Sequence, residues 1–403
     1  MSHHVAGLLA LCVLPAVLGT ALVPPADAAP PQDPPISWGE IPHDDLAMTS
    51  YPADTNAAAL VLCDYGETTL SDNLELVFKR HKRIKILSAA GFEYATTSIL
   101  VYSRNHYEKV RGIEGATYAL DPGGQVVQTA MEEDAIFREE ANEYYTRYRF
   151  TLPALRPGCV VEFRYTVTSK GFDAIANWVF QSRVPVLWSE YRVMIPHQIV
   201  YAAVSNKRFP FAVDELKEME HSYSGDAAQY VGKGSAKCYR YRWVVKNSPA
   251  LVDEPYVSRV EDYAQNMNLQ LVEFSKWSHI GTQAVATTWE EAVSRLLKEE
   301  DFGGRLEASA AVQSLSREVT AGIDSPSVKM RALYDWVRTS IVWSGWKGIY
   351  APSGHERVLE ARKGSVSQIA FLLVALLRSA GIDADPVVLS TRSNGLIQTI
   401  YPV

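Results

Sequence analysis

The sequence predicts an α+β protein, with a β-rich region followed by a smaller region of helices. Apolar and polar residues alternate in short segments between residues 45 and 247, which is typical of half-buried strands. After residue 280, apolar residues recur every three or four positions behind helix-capping sequences, which is typical of amphipathic helices. The chain of 403 residues is too long for one ordinary core, so we expect two or three domains.

The N-terminus predicts export. Residues 5–23 are almost continuously apolar, and Ala-Asp-Ala at residues 26–28 has the small-x-small form of a cleavage site, so we predict a signal peptide over residues 1–28. An uncleaved anchor is the alternative, because the apolar run approaches the length of a membrane span. Residues 29–44 form a Pro-rich leader, and no later segment is long and apolar enough to span a bilayer. The expected location is the periplasm or the cell exterior.

Period-two alternation predicts an antiparallel β-sandwich over residues 45–247. One strand runs from Leu74 to Ile86, and a clearer one runs from Val161 to Thr168 after the turn at Pro157-Gly158. Further strand candidates are Thr97–Tyr102, Tyr144–Leu152, Ser189–Ile195 and Cys238–Val245. A basic run lies in the first of these strands, at Arg80, His81, Lys82, Arg83 and Lys85. We interpret this run as a solvated strand face, with a protected sheet edge as the alternative.

Residues 248–279 are interpreted as a connector to a helical unit over residues 280–403. Thr288 followed by Glu291 has the pattern of a capping box, and Asp324-Ser325-Pro326 predicts a second helix start. The remaining elements are a short helix at Leu359–Arg362, an apolar helix at Ile369–Ser379 and a buried strand at Pro386–Ser390.

The helical unit resembles the transglutaminase-like superfamily. The similarity is carried by Leu333–Val337, Ile341–Trp343, Val358-Leu359, Lys363–Ser367 and Leu372–Pro386. The preceding region, at Arg80–Tyr94 and Pro157–Tyr165, is similar to the β-rich domain of unknown function that precedes such units in exported bacterial proteins. The resemblance implies a papain-like fold that is incomplete at its C-terminus, since the superfamily sheet follows the helix at Ile369.

The resemblance also implies a lost active site. In active members, Gly-x-Cys opens the helix, and a His and an Asp follow on later strands. Here Val366 stands at the Cys position, Gln368 stands near the place of a family acid, and the chain ends before the strands that would carry His and Asp. We therefore expect a degenerate transglutaminase-like domain without catalytic residues.

Two serines flank the lost nucleophile. We interpret Ser365 and Ser367 as helix-capping residues, because a serine nucleophile needs a nearby base. His355 is the nearest histidine, in a Gly-rich stretch that we expect at the surface or in a turn. All three residues are weak catalytic candidates.

Three aromatic residues define a possible binding surface: Trp343, Trp346 and Tyr350. On exposed loops they favour binding of a glycan or peptide, whereas a structural role as the roof of the vacant cleft is the alternative. The leading hypothesis is an exported, non-catalytic protein of the bacterial envelope with a binding or scaffold role for a peptide, glycan or partner protein. An acyl transferase or cysteine-type peptidase with displaced or partner-supplied catalytic residues is the second. A truncated product, whose C-terminal unit is marginally stable, is the third.

Charge and cysteine content exclude other functions. A formal net charge of -7 disfavours a nucleic-acid partner. Removal of the signal peptide would leave Cys63, Cys159 and Cys238, which allow one disulfide and one thiol, although Cys63 lies in an apolar run and is expected to be buried. The histidines show no metal-ligand spacing against these cysteines, so we expect neither a metal nor a cofactor.

Overall fold

A computed structural model describes residues 35–142, 144–172, 175–232, 234–275, 282–284, 288–392 and 395–397. The predicted signal peptide, most of the leader and the C-terminal residue Val403 lie outside the described residues. The chain divides after Ser37, and Trp38 onward forms one compact unit. This unit has a strand-rich first part and a helical last part, so the α+β prediction is confirmed.

The first part contains one short helix before the first strand, a second near its end, and fifteen strands among the described residues. The helices are α1 (His43–Ala47) and α2 (Gly225–Val231). The strands are β1 (Ala59–Leu70), β2 (Leu76–Ile86), β3 (Thr96–Tyr102), β4 (Glu108–Leu120), β5 (Val126–Ala130), β6 (Phe137–Glu140), β7 (Tyr145–Thr151), β8 (Val160–Ser169), β9 (Trp178–Val179), β10 (Val186–Pro196), β11 (Ile199–Val204), β12 (Val213–Ser222), β13 (Ser235–Ser248), β14 (Asn266–Ser275) and β15 (Thr282–Ala284).

Eight strands form one large sheet in the order β12-β13-β10-β1-β2-β8-β4-β5. The neighbours β1 and β10 run parallel, so the sheet is mixed and not wholly antiparallel as predicted. A three-stranded sheet, β3-β7-β6, and a four-stranded sheet of β9, β11, β14 and β15 accompany it. Residues 266–275 of the predicted connector form β14 and so extend this part of the fold.

Both smaller sheets pack on the large sheet through apolar side chains. Ile99 and Phe150 of the three-stranded sheet meet Ile84 and Phe163 of the large one. The Trp178 ring of the four-stranded sheet stacks on the Tyr191 ring of the large sheet, with 5.3 Å between the ring centroids. Gly66 makes this approach possible, because a Cβ there would overlap the indole ring of Trp178.

Buried carboxylates, each held by two basic side chains, lie on the large sheet. The Glu162 carboxylate accepts hydrogen bonds from Arg83 (2.6 Å) and contacts the His81 ring (2.9 Å). On β10 and β13, Arg192 and Arg242 both donate to the Glu190 carboxylate, at 2.6 and 2.7 Å. Breaking such a pair is costly, because the remaining charge stays buried without compensation.

A third buried carboxylate, Asp64, lies on β1 beside two cations of β2. Arg80 donates to both of its oxygens, at 2.9 and 2.7 Å, and Lys82 approaches to 2.8 Å. Burial opposes ionisation of Asp64, but these two cations outweigh it and hold the pKa of the carboxyl at about 2.

The basic run of β2 is therefore not a solvated face, and that prediction is wrong. Arg83 is 2% exposed and Lys85 is fully buried. Residues 38–51 cover this side of the sheet through Leu46, and the Lys85 ammonium donates to the Leu46 carbonyl at 2.8 Å. A strand face of buried cations paired with carboxylates or carbonyls gives the same alternation of polar and apolar residues as a solvent-exposed face. Periodicity alone therefore does not distinguish a buried charged face from an exposed one.

The last part contains helices around a separate apolar core. They are α3 (Trp289–Leu296), α4 (Ala310–Val319), α5 (Pro326–Ser340), α6 (His355–Ala361) and α7 (Val366–Ser379), with a two-residue parallel ladder of β16 (Val342–Trp343) and β17 (Lys363–Gly364). The helix α7 is central: its Leu372 and Leu376 are fully buried against Val312 of α4 and Leu333 of α5. The helix starts follow the predicted signals at Thr288 and Pro326.

The stretch Pro386–Ser390, predicted as a buried strand, is irregular and exposed. Val387 is 82% exposed and Leu389 is 67% exposed. No described strand pairs with this segment, so its apolar side chains have no sheet to pack on. The segment is apolar, as a buried strand would be, but its burial depends on which other elements of the fold pack against it.

We predict that Glu162→Gln lowers the free energy of unfolding by about 3 kcal/mol or more, because it leaves Arg83 buried without its counter-charge. The matched control is Glu114→Gln, since Glu114 pairs with Arg164 at an exposed site and should cost less than about 1 kcal/mol. Urea denaturation followed by circular dichroism measures both. Equal losses in the two variants would contradict the importance of the buried pair.

We predict that Asp64 contributes to acid sensitivity. Its folded pKa lies below the unfolded value, so its stabilisation is present above about pH 5 and disappears as the pH falls toward 2. In Asp64→Asn, the decline in unfolding free energy between these pH values should be smaller than in the wild type by about 2 kcal/mol. Asp134→Asn, at an exposed carboxylate with no cation partner among the described residues, should keep the wild-type pH profile.

Candidate ligand-binding cleft

The candidate site is built around the N-terminus of α7. The Ser365 hydroxyl accepts a hydrogen bond from the Gln368 N–H (3.2 Å), and the Gln368 side-chain oxygen accepts one from the Ser365 N–H (2.8 Å). This reciprocal arrangement is a capping box, which satisfies donors left free at a helix start. Gln368 therefore caps the start of α7. The sequence resemblance places an acidic residue of the family near this position.

Both hydroxyls beside Val366 are engaged within the fold. Ser367 donates to the Tyr350 carbonyl (2.7 Å), so the 2.9 Å contact between the Ser365 and Ser367 hydroxyls requires Ser365 to be the donor. The two serines are 7% and 5% exposed. Neither proton faces a general base, so the arrangement supports helix capping and not a serine nucleophile.

Val366 is the first residue of α7 and stands at the solvent side of this network. It is 47% exposed, and its N–H donates to the Trp346 carbonyl at 3.2 Å. A helix N-terminus stabilises a negative charge and would activate a thiol here. A valine has no nucleophilic atom, so the first residue of this helix cannot itself attack a substrate.

His355 is buried, and its predicted surface position is wrong. It is 6% exposed at the start of α6, and its Nε2–H donates to the Arg305 carbonyl at 2.9 Å. Burial lowers the pKa of the imidazole, which favours the neutral ring. His355 is not among the residues that line the cleft, and its ring is hydrogen-bonded to the Arg305 carbonyl of the neighbouring turn.

The cleft at the start of α7 has a volume of about 240 Å³. Its lining residues are Asn142, Tyr144, Ser344, Trp346, Tyr350, Pro352, Ser353, Arg357, Val358, Ala361, Lys363, Gly364, Ser365 and Gln368. Trp346 and Tyr350, two of the three predicted aromatic residues, are among them. Trp343 is 49% exposed outside the lining, and its indole N–H donates to the Trp346 carbonyl at 2.9 Å.

The strand-rich part of the fold supplies one wall of the cleft, which the sequence did not predict. Asn142 precedes β7 and accepts the backbone N–H groups of Tyr144 and Tyr145 on its side-chain oxygen, both at 2.8 Å. The Tyr145 ring lies 5.4 Å from the Trp346 ring, so aromatic contacts continue across the two parts. The sequence does contain a signal for this wall, since Asn142 shortly before Tyr144 and Tyr145 predicts a polar turn followed by two aromatic side chains.

Asp301 joins the two parts beside the cleft. Its carboxylate accepts hydrogen bonds from Arg104 (2.8 Å) and the Tyr144 hydroxyl (3.1 Å) of the strand-rich part, and from Arg305 (3.2 Å) within the helical part. Burial opposes ionisation of Asp301, but the hydrogen bonds from Arg104 and Tyr144 lower the pKa of the carboxyl below its usual value. This contact holds Tyr144 against the cleft.

The charge of the cleft lining is positive. Arg357 and Lys363 line it, and no Asp or Glu does. Neither cation makes a side-chain hydrogen bond or ion pair with another described residue. The cleft therefore offers two unpaired cations, several amide and hydroxyl groups, and aromatic faces.

The cysteines and histidines form no second reactive site in the part of the chain that the structure describes. Cys63, Cys159 and Cys238 are free and buried, as expected for Cys63, and burial raises the pKa of each thiol. The disulfide that their number allowed is not formed. Within the described ranges, no group of three His, Cys, Asp or Glu residues is placed to hold a metal.

Two family profiles match the chain, and they agree with the sequence resemblance. The DUF3857 domain of unknown function matches residues 72–251, and the transglutaminase-like superfamily core matches residues 313–396. The chain therefore carries a transglutaminase-like core domain behind a DUF3857 domain. Val366 lies within the transglutaminase-like match, and the cleft is lined by residues of both matched regions.

A solved structure from Parabacteroides distasonis ATCC 8503, named as a proposed protease, shares the fold. It is 14% identical with a TM-score of 0.56, and the match covers 80% of this chain and 59% of that one. The chain thus spans little more than half the length of this protein. An M1 zinc metallopeptidase from Deinococcus radiodurans is 11% identical over 63% of this chain and 55% of its own, and its TM-score of 0.24 is too low to carry an argument. No curated protein sequence matches.

We predict that Val366→Cys gives an activated thiol, because the positive end of α7 lowers the pKa of a cysteine below about 8.5. Val387→Cys is the matched control, since Val387 is 82% exposed and outside any helix. At a pH just below neutral, Val366→Cys should react with iodoacetamide several times faster than the control. Equal rates would contradict the electrostatic role of this helix start. In a protein that begins after residue 28, and so lacks Cys12, the three buried native cysteines keep the background low.

Proposed function

We propose that this is an exported envelope protein whose transglutaminase-like domain binds a ligand without transforming it. The loss of the nucleophile carries the proposal: Val366 occupies the helix start, and the hydroxyls on both sides of it are hydrogen-bonded within the fold. Covalent acyl transfer needs a nucleophile with a base within hydrogen-bond reach. The cleft lining contains neither a cysteine nor a histidine.

The retained cleft supports a binding role. Trp346 and Tyr350 keep aromatic surface in its lining, and Asp301 fixes Tyr144 of the other part against it. Aromatic rings with a few placed polar groups are the usual composition of a recognition site. A peptide, a glycan or a partner protein is the class of ligand that this composition admits.

Export is supported by the signal-like N-terminal sequence. Among the described residues, no helix has the length and apolarity needed to cross a membrane. The envelope location of the proposed function therefore rests on residues 1–28. N-terminal sequencing of the protein recovered from its native cell envelope tests this part of the proposal.

We predict no turnover by the purified chain. Incubation with a glutamine-containing peptide and a primary amine should yield no cross-linked product, and a fluorophosphonate probe should leave Ser365 and Ser367 unlabelled in peptide mass spectra. Both hydroxyls already donate within the fold, so neither is activated. A serine protease in the same reaction mixture controls for probe quality.

A different result would favour the second candidate, an acyl transferase or peptidase with displaced catalytic residues. Turnover by the wild type that is lost in Ser365→Ala or Ser367→Ala would contradict the proposed binding role. Turnover that appears only when a second protein is added would identify partner-supplied catalytic groups. In both cases the fold assignment would stand, because it depends on the helices and the sheet and not on the serines.

A further inference from the structure

We propose that the cleft and an adjoining basic groove form one extended site for an acidic polysaccharide, in which the carboxylates of uronic-acid residues meet unpaired cations. This inference rests on the proposed binding function and names its ligand class. The groove lies between β4 and the sheet of β6 and β7 and has a volume of about 440 Å³. Asn142 lines both cavities, so they meet at this residue.

The first observation is the distribution of unpaired charge. Arg357 and Lys363 line the cleft, and Lys109, Arg111 and Arg138 line the groove. None of these five cations has a side-chain ion pair or hydrogen bond with another described residue. The chain as a whole is acidic, with a net charge of -7, so five unpaired cations along adjoining cavities are a local reversal of charge.

Acidic groups in the groove cancel only part of this charge. Two carboxylates line it, Glu108 and Glu140, beside Lys109, Arg111 and Arg138. The Glu108 oxygens accept hydrogen bonds from the Tyr102 N–H (2.7 Å) and the Ser169 hydroxyl (2.9 Å), which are neutral donors and leave its negative charge in place. The unpaired cations therefore exceed the carboxylates by one in the groove and by two in the cleft, which has no carboxylate in its lining.

The second observation is the aromatic and amide character of the cleft. Trp346 and Tyr350 line the cleft with partly exposed aromatic side chains, on which the apolar face of a sugar ring can pack. The Tyr144 ring is buried between Tyr102 and Arg104 and serves as a wall. The side-chain nitrogen of Asn142 is buried and has no hydrogen-bond partner among the described residues, although its oxygen accepts two N–H groups. A buried unpaired donor is unfavourable and is relieved by an acceptor such as a sugar hydroxyl.

A peptide is the less suitable ligand. Recognition of an extended peptide by strand addition requires free backbone groups along a sheet edge. The Trp346 carbonyl already accepts from the Val366 N–H and the Trp343 indole, and the Tyr350 carbonyl accepts from Ser367. The Trp346 and Tyr350 carbonyls are thus already engaged within the fold, which disfavours strand addition at these two residues.

The test is isothermal titration of the full chain at low salt with three matched probes: hexagalacturonate, the neutral sugar cellohexaose, and hexaglutamate. We expect hexagalacturonate to bind and cellohexaose to bind at least about tenfold more weakly, since each exposed charge contact contributes up to about fivefold in affinity. The double variant Arg357→Gln/Lys363→Gln should weaken hexagalacturonate binding about tenfold. Lys109→Gln/Arg138→Gln should weaken it by a similar factor if the ligand extends into the groove.

The control variant is Lys329→Gln/Arg331→Gln, which removes the same charge from α5 without touching either cavity and should bind as the wild type does. A loss of affinity in this control equal to that in the cleft variant would overturn the site, because binding would then follow net charge alone. Tighter binding of hexaglutamate than of hexagalacturonate would overturn the ligand class. Binding of neither acidic probe would overturn this inference while leaving the proposed absence of turnover intact.

Discussion

The pairing of buried carboxylates with cations on the large sheet is the interaction on which the rest of the molecule depends. Asp64, Glu162 and Glu190 lie on three different strands, and each is held by two basic side chains from its own or a neighbouring strand. A shift of register by one residue would move these side chains to the opposite face and separate the charges. The pairs therefore fix one alignment of β1, β2, β8, β10 and β13, at the expense of desolvating several ions.

The alignment of the sheet determines the position of the cleft. The β3-β7 pair packs on the large sheet and brings Tyr144 and Asn142 to its edge, where Asp301 of the helical part accepts hydrogen bonds from Tyr144 and Arg104. The cleft is thus shared between a DUF3857 domain and a transglutaminase-like core, and neither domain forms it alone. This arrangement gives the first domain a structural reason to accompany the second.

The start of α7 combines a well-capped helix N-terminus with a first residue, Val366, that has no nucleophilic atom. The capping box of Ser365 and Gln368 preserves the helix end, and Ser367 ties that end to the Tyr350 carbonyl. The electrostatic field of the helix remains, while Val366 removes the atom that would use it. A site of this kind is suited to attract an anion, which agrees with the unpaired Arg357 and Lys363 in the same cleft.

The sequence by itself determined the α+β class, six of the fifteen described strands of the first part, the starts of α3 and α5, the valine at the start of α7 and the capping role of Ser365. These features depend on local periodicity and on residues close in the chain. Tertiary structure decided the rest. The sequence predicts a solvent-exposed strand face for Arg83 and Lys85, but both residues are buried. It predicts a surface position for His355, which is also buried, and a buried position for Val387, which is exposed. Asn142 joins the cleft across more than 200 residues of chain. Burial and long-range contact depend on which elements pack together, and no local pattern records that choice.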